Sequence, residues 1–207
     1  NAGMNRKPAD SFTDATAIYI RITQGADGGW SNAEGRRPPM NSGRFQSAAL
    51  AIYSLKKYAP QSELAASERA MVNAVKWLET STPSTNQDHA FRLMGLGWGG
   101  ASESSIRSEV RAVKAMQRSD GGWSQLPSMQ SDAYATGEAL FALAIAGKVR
   151  MQDPAFRRGV DFLMTTVGAD GSWHVKTRAI WLQPFLDSGF PHGQDQFIST
   201  AGTAWAT

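Results

Sequence analysis

Apolar side chains recur along the chain with the 3.6-residue period of helices that are buried on one face. Three such stripes are Ile106, Val110, Val113 and Met116; Phe156, Val160, Leu163 and Val167; and Met71, Ala74, Val75 and Leu78. Asp153 followed by Pro154 marks a helix start, because Asp caps a first turn and Pro suits the first helical position. The pattern predicts an all-α protein.

Glycine-rich turns that contain a tryptophan follow helical segments of this kind. The turn Q-x-x-D-G-G-W occupies residues 24–30 and 117–123. A weaker copy, D-G-S-W, occupies residues 170–173, and there Val167 replaces the glutamine. A further copy is expected near residue 80, where Trp77 is followed by a turn without the glycine pair. The spacing, about 46 to 50 residues per unit, predicts about four helical hairpins.

The second helix of each hairpin is rich in Ala, Gly and Thr, and small side chains let helix axes approach closely. Alignment of these helices gives one aromatic residue per helix: Tyr53, Trp98, Phe141 and Trp205. These rings have two interpretations. They pack a core, or they line a site for an apolar ligand or a carbocation, since ring faces attract cations.

Composition limits the other functions. The 207 residues, 42% of them apolar, fit one domain over residues 1–207. The net charge of +3 is spread over interspersed acidic and basic residues, so no nucleic-acid partner is expected. The absence of cysteine excludes disulfides and thiolate metal sites. No apolar run reaches the roughly 20 residues of a membrane span, and nothing indicates a compartment.

The two ends of the sequence suggest a fragment. Residues 1–3 precede Met4 and read as the remnant of an expression tag. Residues 203–207 end inside a predicted helix that has no cap. If the chain is a fragment, we expect its open end hairpins to self-associate through exposed apolar surface.

The Q-x-x-D-G-G-W turns resemble the QW repeat of triterpene cyclases and the related repeat of prenyltransferase β subunits. The resemblance extends over nearly the whole chain. It implies a squalene-cyclase-like α/α toroid, in which outer helices alternate with inner ones, the Gln ties helix ends together and the Trp packs over the turn. A complete ring in that family has about six hairpins, so this chain would form part of one.

The acidic motifs of those families are missing. Class II cyclases protonate their substrate with the middle Asp of D-x-D-D, an acid that its neighbours keep protonated. The resemblance therefore implies that such a motif should be present. No Asp-Asp dipeptide occurs in this chain, which also removes the D-D-x-x-D diphosphate motif of class I synthases. Standard protonation-initiated cyclisation is therefore not expected.

The prenyltransferase zinc site is missing as well. Residues 132–136 are similar to its D-x-Y-H-T helix start, but Ala135 stands where the His would be. Without that His and without cysteine the site cannot form. No metal and no other cofactor is therefore predicted, and Asp132 is interpreted as a helix N-cap.

One long connection concentrates ionisable and aromatic residues between Trp173 and the last helix. Its predicted catalytic residues are His174, Asp187, His192 and Asp195, as acid–base groups or as metal ligands. Trp181, Phe185 and Phe190 are interleaved with them. The alternative is a surface loop that aromatic side chains hold in place, with histidines that only form hydrogen bonds.

Three functions remain open after these arguments. The first is a cyclase-like domain that binds an apolar, isoprenoid-like ligand through the four aromatic residues; whether it also catalyses a reaction is left open. The second is a protein-interaction scaffold, because stacked helical pairs present extended concave surfaces. The third is a saccharide-directed enzyme, for which His174, Arg178 and Asp187 are the candidates.

Overall fold

The computed structural model describes residues 10–31, 37–40, 43–179 and 186–207, and this part of the chain contains eight α-helices and no strand. Residues 1–3, Trp181 and Phe185 lie outside it. The helices are α1 (Ser11–Ile22), α2 (Arg44–Tyr58), α3 (Leu64–Thr80), α4 (Asn86–Gly99), α5 (Glu103–Ala115), α6 (Ala133–Ile145), α7 (Pro154–Thr166) and α8 (Gln196–Ala206). The all-α prediction is confirmed.

The helices form two layers. The even-numbered helices pack side by side in the order α2, α4, α6 and α8, and we call them the inner helices. The outer helices α1, α3, α5 and α7 pack against them. Outer and inner helices therefore alternate along the chain. The sequence stripes lie on α3, α5 and α7, whose buried residues include Leu78, Val113 and Leu163.

Three turns between an outer and an inner helix share one structure, and we call them corners 1, 2 and 3 (residues 24–30, 117–123 and 167–173). In each corner the indole N–H of the tryptophan donates to a carbonyl ten residues earlier, in the outer helix just completed. The pairs are Trp30 with Ile20 at 2.7 Å, Trp123 with Val113 at 2.7 Å and Trp173 with Leu163 at 2.9 Å. The tryptophan thus fixes the direction in which the chain leaves each outer helix.

Corners 1 and 2 also hold the next outer helix. Gln117 Nε2 donates to the carbonyl of Gly121 in its own corner at 2.8 Å and to that of Ala155 on α7 at 2.7 Å. Gln24 does the same with Gly28 and with Ala70 on α3. Corner 3 has Val167 at this position, and a valine side chain cannot donate.

Close approach explains two of the glycines. Gly121 has a φ of +88°, and a Cβ there would lie 2.6 Å from the carbonyl oxygen of Arg158 on α7. Gly137 on α6 faces the backbone of Trp205 on α8, where a Cβ would overlap the carbonyl group. The small residues of the inner helices therefore set how closely α6 and α8 pack.

Candidate functional site

An apolar groove of about 410 Å³ lies between α6, α7 and α8. Its walls include Phe141 and Ile145 from α6, Met164 from α7 and Trp205 from α8. Trp173 of corner 3 also borders it. Two of the four aromatic residues predicted to bind a ligand thus line one cavity.

The four predicted rings form two separate pairs. Phe141 and Trp205 meet edge to face, with centroids 5.3 Å apart and planes at 64°. Tyr53 and Trp98 meet at 5.0 Å and 55°, near the ends of α2 and α4. Within the described residues no ring contact joins Trp98 to Phe141. The groove therefore uses one pair, and the other pair packs between two inner helices.

A fully buried carboxyl group, that of Glu138, lies on α6 beside the groove. Neither of its oxygen atoms has a hydrogen-bond partner. Burial raises the pKa of Glu138 well above its ordinary value, and the nearby carboxylates of Asp132 and Asp88 raise it further. The Tyr134 hydroxyl has a smaller effect in the opposite direction. The neutral acid is therefore the favoured form.

The ring of Trp205 contacts two aromatic residues of α6 that lie on either side of Glu138 in the sequence. Tyr134 and Phe141 lie about one helical turn before and after Glu138, on the same face. Trp205 contacts both rings, at 6.5 Å and 81° from Tyr134 and at 5.3 Å from Phe141. Trp205 also borders the groove, as do Gly137 and Leu140, which lie close to Glu138 in the sequence of α6.

Polar groups continue from Glu138 toward the amino-terminal ends of α4 and α6. Asn86 Nδ2 donates to the carbonyl of Ala135 at 3.1 Å, while its buried Oδ1 has no partner. The Tyr134 hydroxyl donates to Gln87 Oε1 at 3.2 Å. Two inner helices thus meet through buried polar atoms, several of them unsatisfied.

Asp132 closes this polar region. It caps α6 by accepting from the backbone N–H of Ala135 at 2.9 Å, so the N-cap prediction is confirmed. It also accepts from Gln125 Nε2 at 2.9 Å, and Arg178 donates to Gln125 Oε1 at 2.8 Å. Burial raises the pKa of Asp132, whereas these hydrogen bonds and the charge of Arg178 lower it.

Three of the four predicted catalytic residues come together beside corner 3, and we call His174, His192, Asp195 and Ser172 the rim cluster. The two imidazole rings stack at 4.8 Å and 14°. His174 Nε2 lies 2.7 Å from Asp195 Oδ2, and His192 Nε2 lies 2.8 Å from Ser172 Oγ. Asp187 takes no part in these contacts, since its carboxylate accepts from the N–H of Gly189 in a local turn.

The rim cluster lacks the order of a nucleophilic triad. Asp195 contacts His174, whereas Ser172 contacts the other imidazole, so no carboxylate orients the histidine that meets the hydroxyl. Ser172 is also buried and bonded to Asp170. No group of three or more His, Asp or Glu residues in the described ranges is arranged to hold a metal ion.

The saccharide alternative gains no support from this geometry. Arg178 is bonded to Gln125, whereas His174 is bonded to Asp195. Among the described residues, Asp187 accepts from the N–H of Gly189 in its own turn. The three residues named for such an enzyme therefore share no hydrogen bond or ion pair.

Sequence reasoning missed Glu138 and Ser172. A signal for Glu138 was present, because it is the one charged residue within the otherwise apolar or small run of residues 133–147. The sequence signal for Ser172 was limited to the replacement of the second glycine of the G-G-W turn by serine in corner 3. Its bond to His192, twenty residues later, depends on the fold.

The layered helices, the corners and the apolar groove define an all-α fold of the terpene-cyclase type. The type II terpene cyclase MstE from Scytonema, without ligand, is similar with a TM-score of 0.58 and 14% identity. A single-residue variant of MstE in complex with its product merosterolic acid A is similar with a TM-score of 0.55 and 16% identity. At these identities the likeness concerns the fold, and the expected squalene-cyclase-like α/α toroid architecture is confirmed.

The chain spans only part of those enzymes. The alignments cover 95% of this chain and 57% of the MstE chains. No protein-family model and no curated protein matches the sequence. None of the helices in the described residues is both long enough and apolar enough to cross a bilayer.

Proposed function

We propose that this chain binds an apolar, isoprenoid-like ligand in the groove between α6, α7 and α8. The observation that carries the proposal is the edge-to-face pair of Phe141 and Trp205 on the wall of that groove. Ile145 and Met164 extend the same apolar surface. A hydrocarbon chain in this groove would remove apolar surface from water on both sides, which is the main driving force for binding such ligands.

The comparison with MstE supports the choice of ligand. That enzyme has a similar fold, and a variant of it was solved in complex with merosterolic acid A, its product. This chain has no D-x-D-D motif, so binding is proposed here without the chemistry of that motif.

Fluorescence titration with squalene tests the proposal. We expect a saturable change in tryptophan emission, because Trp205 borders the groove. Phe141→Ala should weaken binding strongly, since it removes one wall. Tyr53→Ala, the matched change in the other ring pair, should leave binding unaltered. No saturable change in the unaltered chain, or equal effects of both substitutions, would contradict the proposal.

A second candidate, a helical interaction scaffold, is favoured by exposed apolar side chains on α1. Tyr19 and Ile22 are 65% and 62% exposed, and they lie three residues apart on neighbouring turns. Self-association would use the same surface. Light scattering over a range of concentrations tests it: mass should rise with concentration and fall back in Tyr19→Asp, whereas a monomer throughout would exclude self-association.

A further inference from the structure

We propose that Glu138 is the polar anchor of the groove and that the ligand carries a permanent or protonated ammonium group on its apolar body. This inference rests on the proposed ligand site and adds the chemical class of the head group. It concerns binding only, and no covalent step is involved.

The first support is a buried carboxyl group whose oxygen atoms have no partner. Glu138 is wholly buried with both oxygens unpaired, and the carboxylates of Asp132 and Asp88 are close enough to act on it. A buried carboxyl group without a partner is rare, and an absent ligand or ion is a usual explanation. The nearby cation, Arg178, is bonded to Gln125 and acts on Asp132.

The second support is the aromatic surround. Tyr134 and Phe141 flank Glu138 on α6, and Trp205 contacts both rings. Ring faces attract organic cations, and several rings around one carboxylate are a recurring way to bind a quaternary ammonium group. A neutral alcohol or hydrocarbon would gain neither the ion pair nor the ring attraction.

The route to Glu138 passes Trp205. This ring is half-buried, borders the groove and contacts the two rings that flank Glu138 on α6. It lies in the last turn of α8, and a change of its rotamer would move the ring away from Tyr134 and Phe141. Turning the ring would connect the carboxyl group with the cavity, so the apolar body of the ligand would occupy the groove and its head group would meet Glu138.

Binding has a proton balance that can be measured. Before binding, Glu138 holds its proton because no cation is near enough to pair with the charged form. When the ammonium group arrives, the carboxyl group loses this proton to the buffer and the carboxylate pairs with the cation. A ligand whose charge is permanent contributes no proton of its own, so any proton released on binding comes from Glu138.

The test compares farnesyltrimethylammonium with farnesol by isothermal titration calorimetry at pH 7. The binding enthalpy of the ammonium ligand should differ between phosphate and Tris buffer because a proton is released, whereas the enthalpy of farnesol should be the same in both. The ammonium ligand should bind roughly tenfold or more tightly than the alcohol. The proton count is measured on the unaltered chain and needs no variant to fold.

Glu138→Gln should abolish proton release and weaken the ammonium ligand to the level of farnesol. Glu109→Gln is the matched control, because Glu109 is also buried but is paired with His89 at 2.6 Å. Equal affinity for both ligands, or no proton release, would overturn the anchor while leaving the ligand groove intact. If neither ligand binds, the proposed function is wrong and this inference falls with it.

Discussion

Trp205 on α8 packs edge-on against Phe141 on α6, with 5.3 Å between the ring centroids. This contact forms a wall of the groove, and Phe141 lies one helical turn after the buried Glu138 on α6. The same pair of helices therefore combines an apolar cavity with a buried acid, and changes in either should be measurable.

Glu138→Gln should change how stability depends on pH. The pKa of Glu138 is raised in the folded protein. Protonation of Glu138 therefore contributes to the free energy of unfolding, and this contribution is fully present below the ordinary pKa of 4.5. That contribution is lost as the pH rises through the raised pKa. The loss amounts to about 1.4 kcal/mol for each pH unit between the two pKa values. The variant cannot ionise, so urea unfolding from pH 4.5 upward should show the fall only in the unaltered chain.

Glu103→Gln serves as the control for this pH series. The Glu103 side chain is 87% exposed and pairs only with Arg107 on the surface. Its variant should follow the unaltered chain at every pH. A Glu138→Gln profile that also runs parallel to the unaltered chain would show that Glu138 titrates normally.

Gly121→Ala should destabilise the protein by about 3 kcal/mol or more. The new Cβ would need a positive φ and would meet the Arg158 carbonyl oxygen. Gly171→Ala, in corner 3, shares the positive φ but has no atom within 4 Å of the added Cβ. It should cost only about 1–2 kcal/mol. Equal losses in chemical unfolding would mean that α7 does not approach corner 2 closely.

Gln117→Ala should lower the free energy of unfolding by about 1–3 kcal/mol. The change removes the hydrogen bonds from Gln117 Nε2 to the Gly121 and Ala155 carbonyls, which join corner 2 to α7. Gln130→Ala, on an exposed loop, is the comparison and should have little effect. If both variants unfold at the same urea concentration, the glutamine does not hold the outer helices together.

Asp195→Asn should destabilise the region of the rim cluster by about 1–2 kcal/mol. Asp195 accepts from the N–H of Thr177 at 2.8 Å and contacts His174. It therefore connects the start of α8 with the segment that follows corner 3. Asp187→Asn alters only a local turn and should be nearly neutral. Thermal unfolding of the two variants measures the difference, and the reverse order would contradict it.

The outer helices and corners could be predicted because local sequence determines them. Stripes such as Val113 and Met116 require a helix, and the glycines of corner 2 allow a backbone that other residues rarely adopt. The tryptophans then bond within their own hairpin, ten residues away. None of these features depends on how the hairpins stack.

The alignment of α6 with α8 depends on how the hairpins stack, which the sequence pattern does not show. The backbone N–H of Trp123 donates to Thr136 Oγ1 on α6, and the backbone N–H of Trp173 donates to Thr203 Oγ1 on α8. These bonds make Thr203 the counterpart of Thr136, so Trp205 corresponds to Glu138 and not to Phe141. Sequence alignment could not see this offset, since the connections before α6 and α8 differ in length. The partners of Glu138 were hidden for the same reason.

Because corner 3 has Val167 in place of a glutamine, local unfolding should require less free energy at this side of the protein than near corners 1 and 2. Corners 1 and 2 each hold two outer helices by a glutamine, but corner 3 contributes no such bond. Gln117 of corner 2 bonds to Ala155 and so holds α7, whereas α8 follows the corner that has no such glutamine. Amide protons of α8 should therefore exchange with solvent before those of α3 and α7, in a local opening that starts at this side. Trp205 lies on α8 and contacts Phe141 on α6. A ligand bound between these two helices should therefore slow amide exchange in α8.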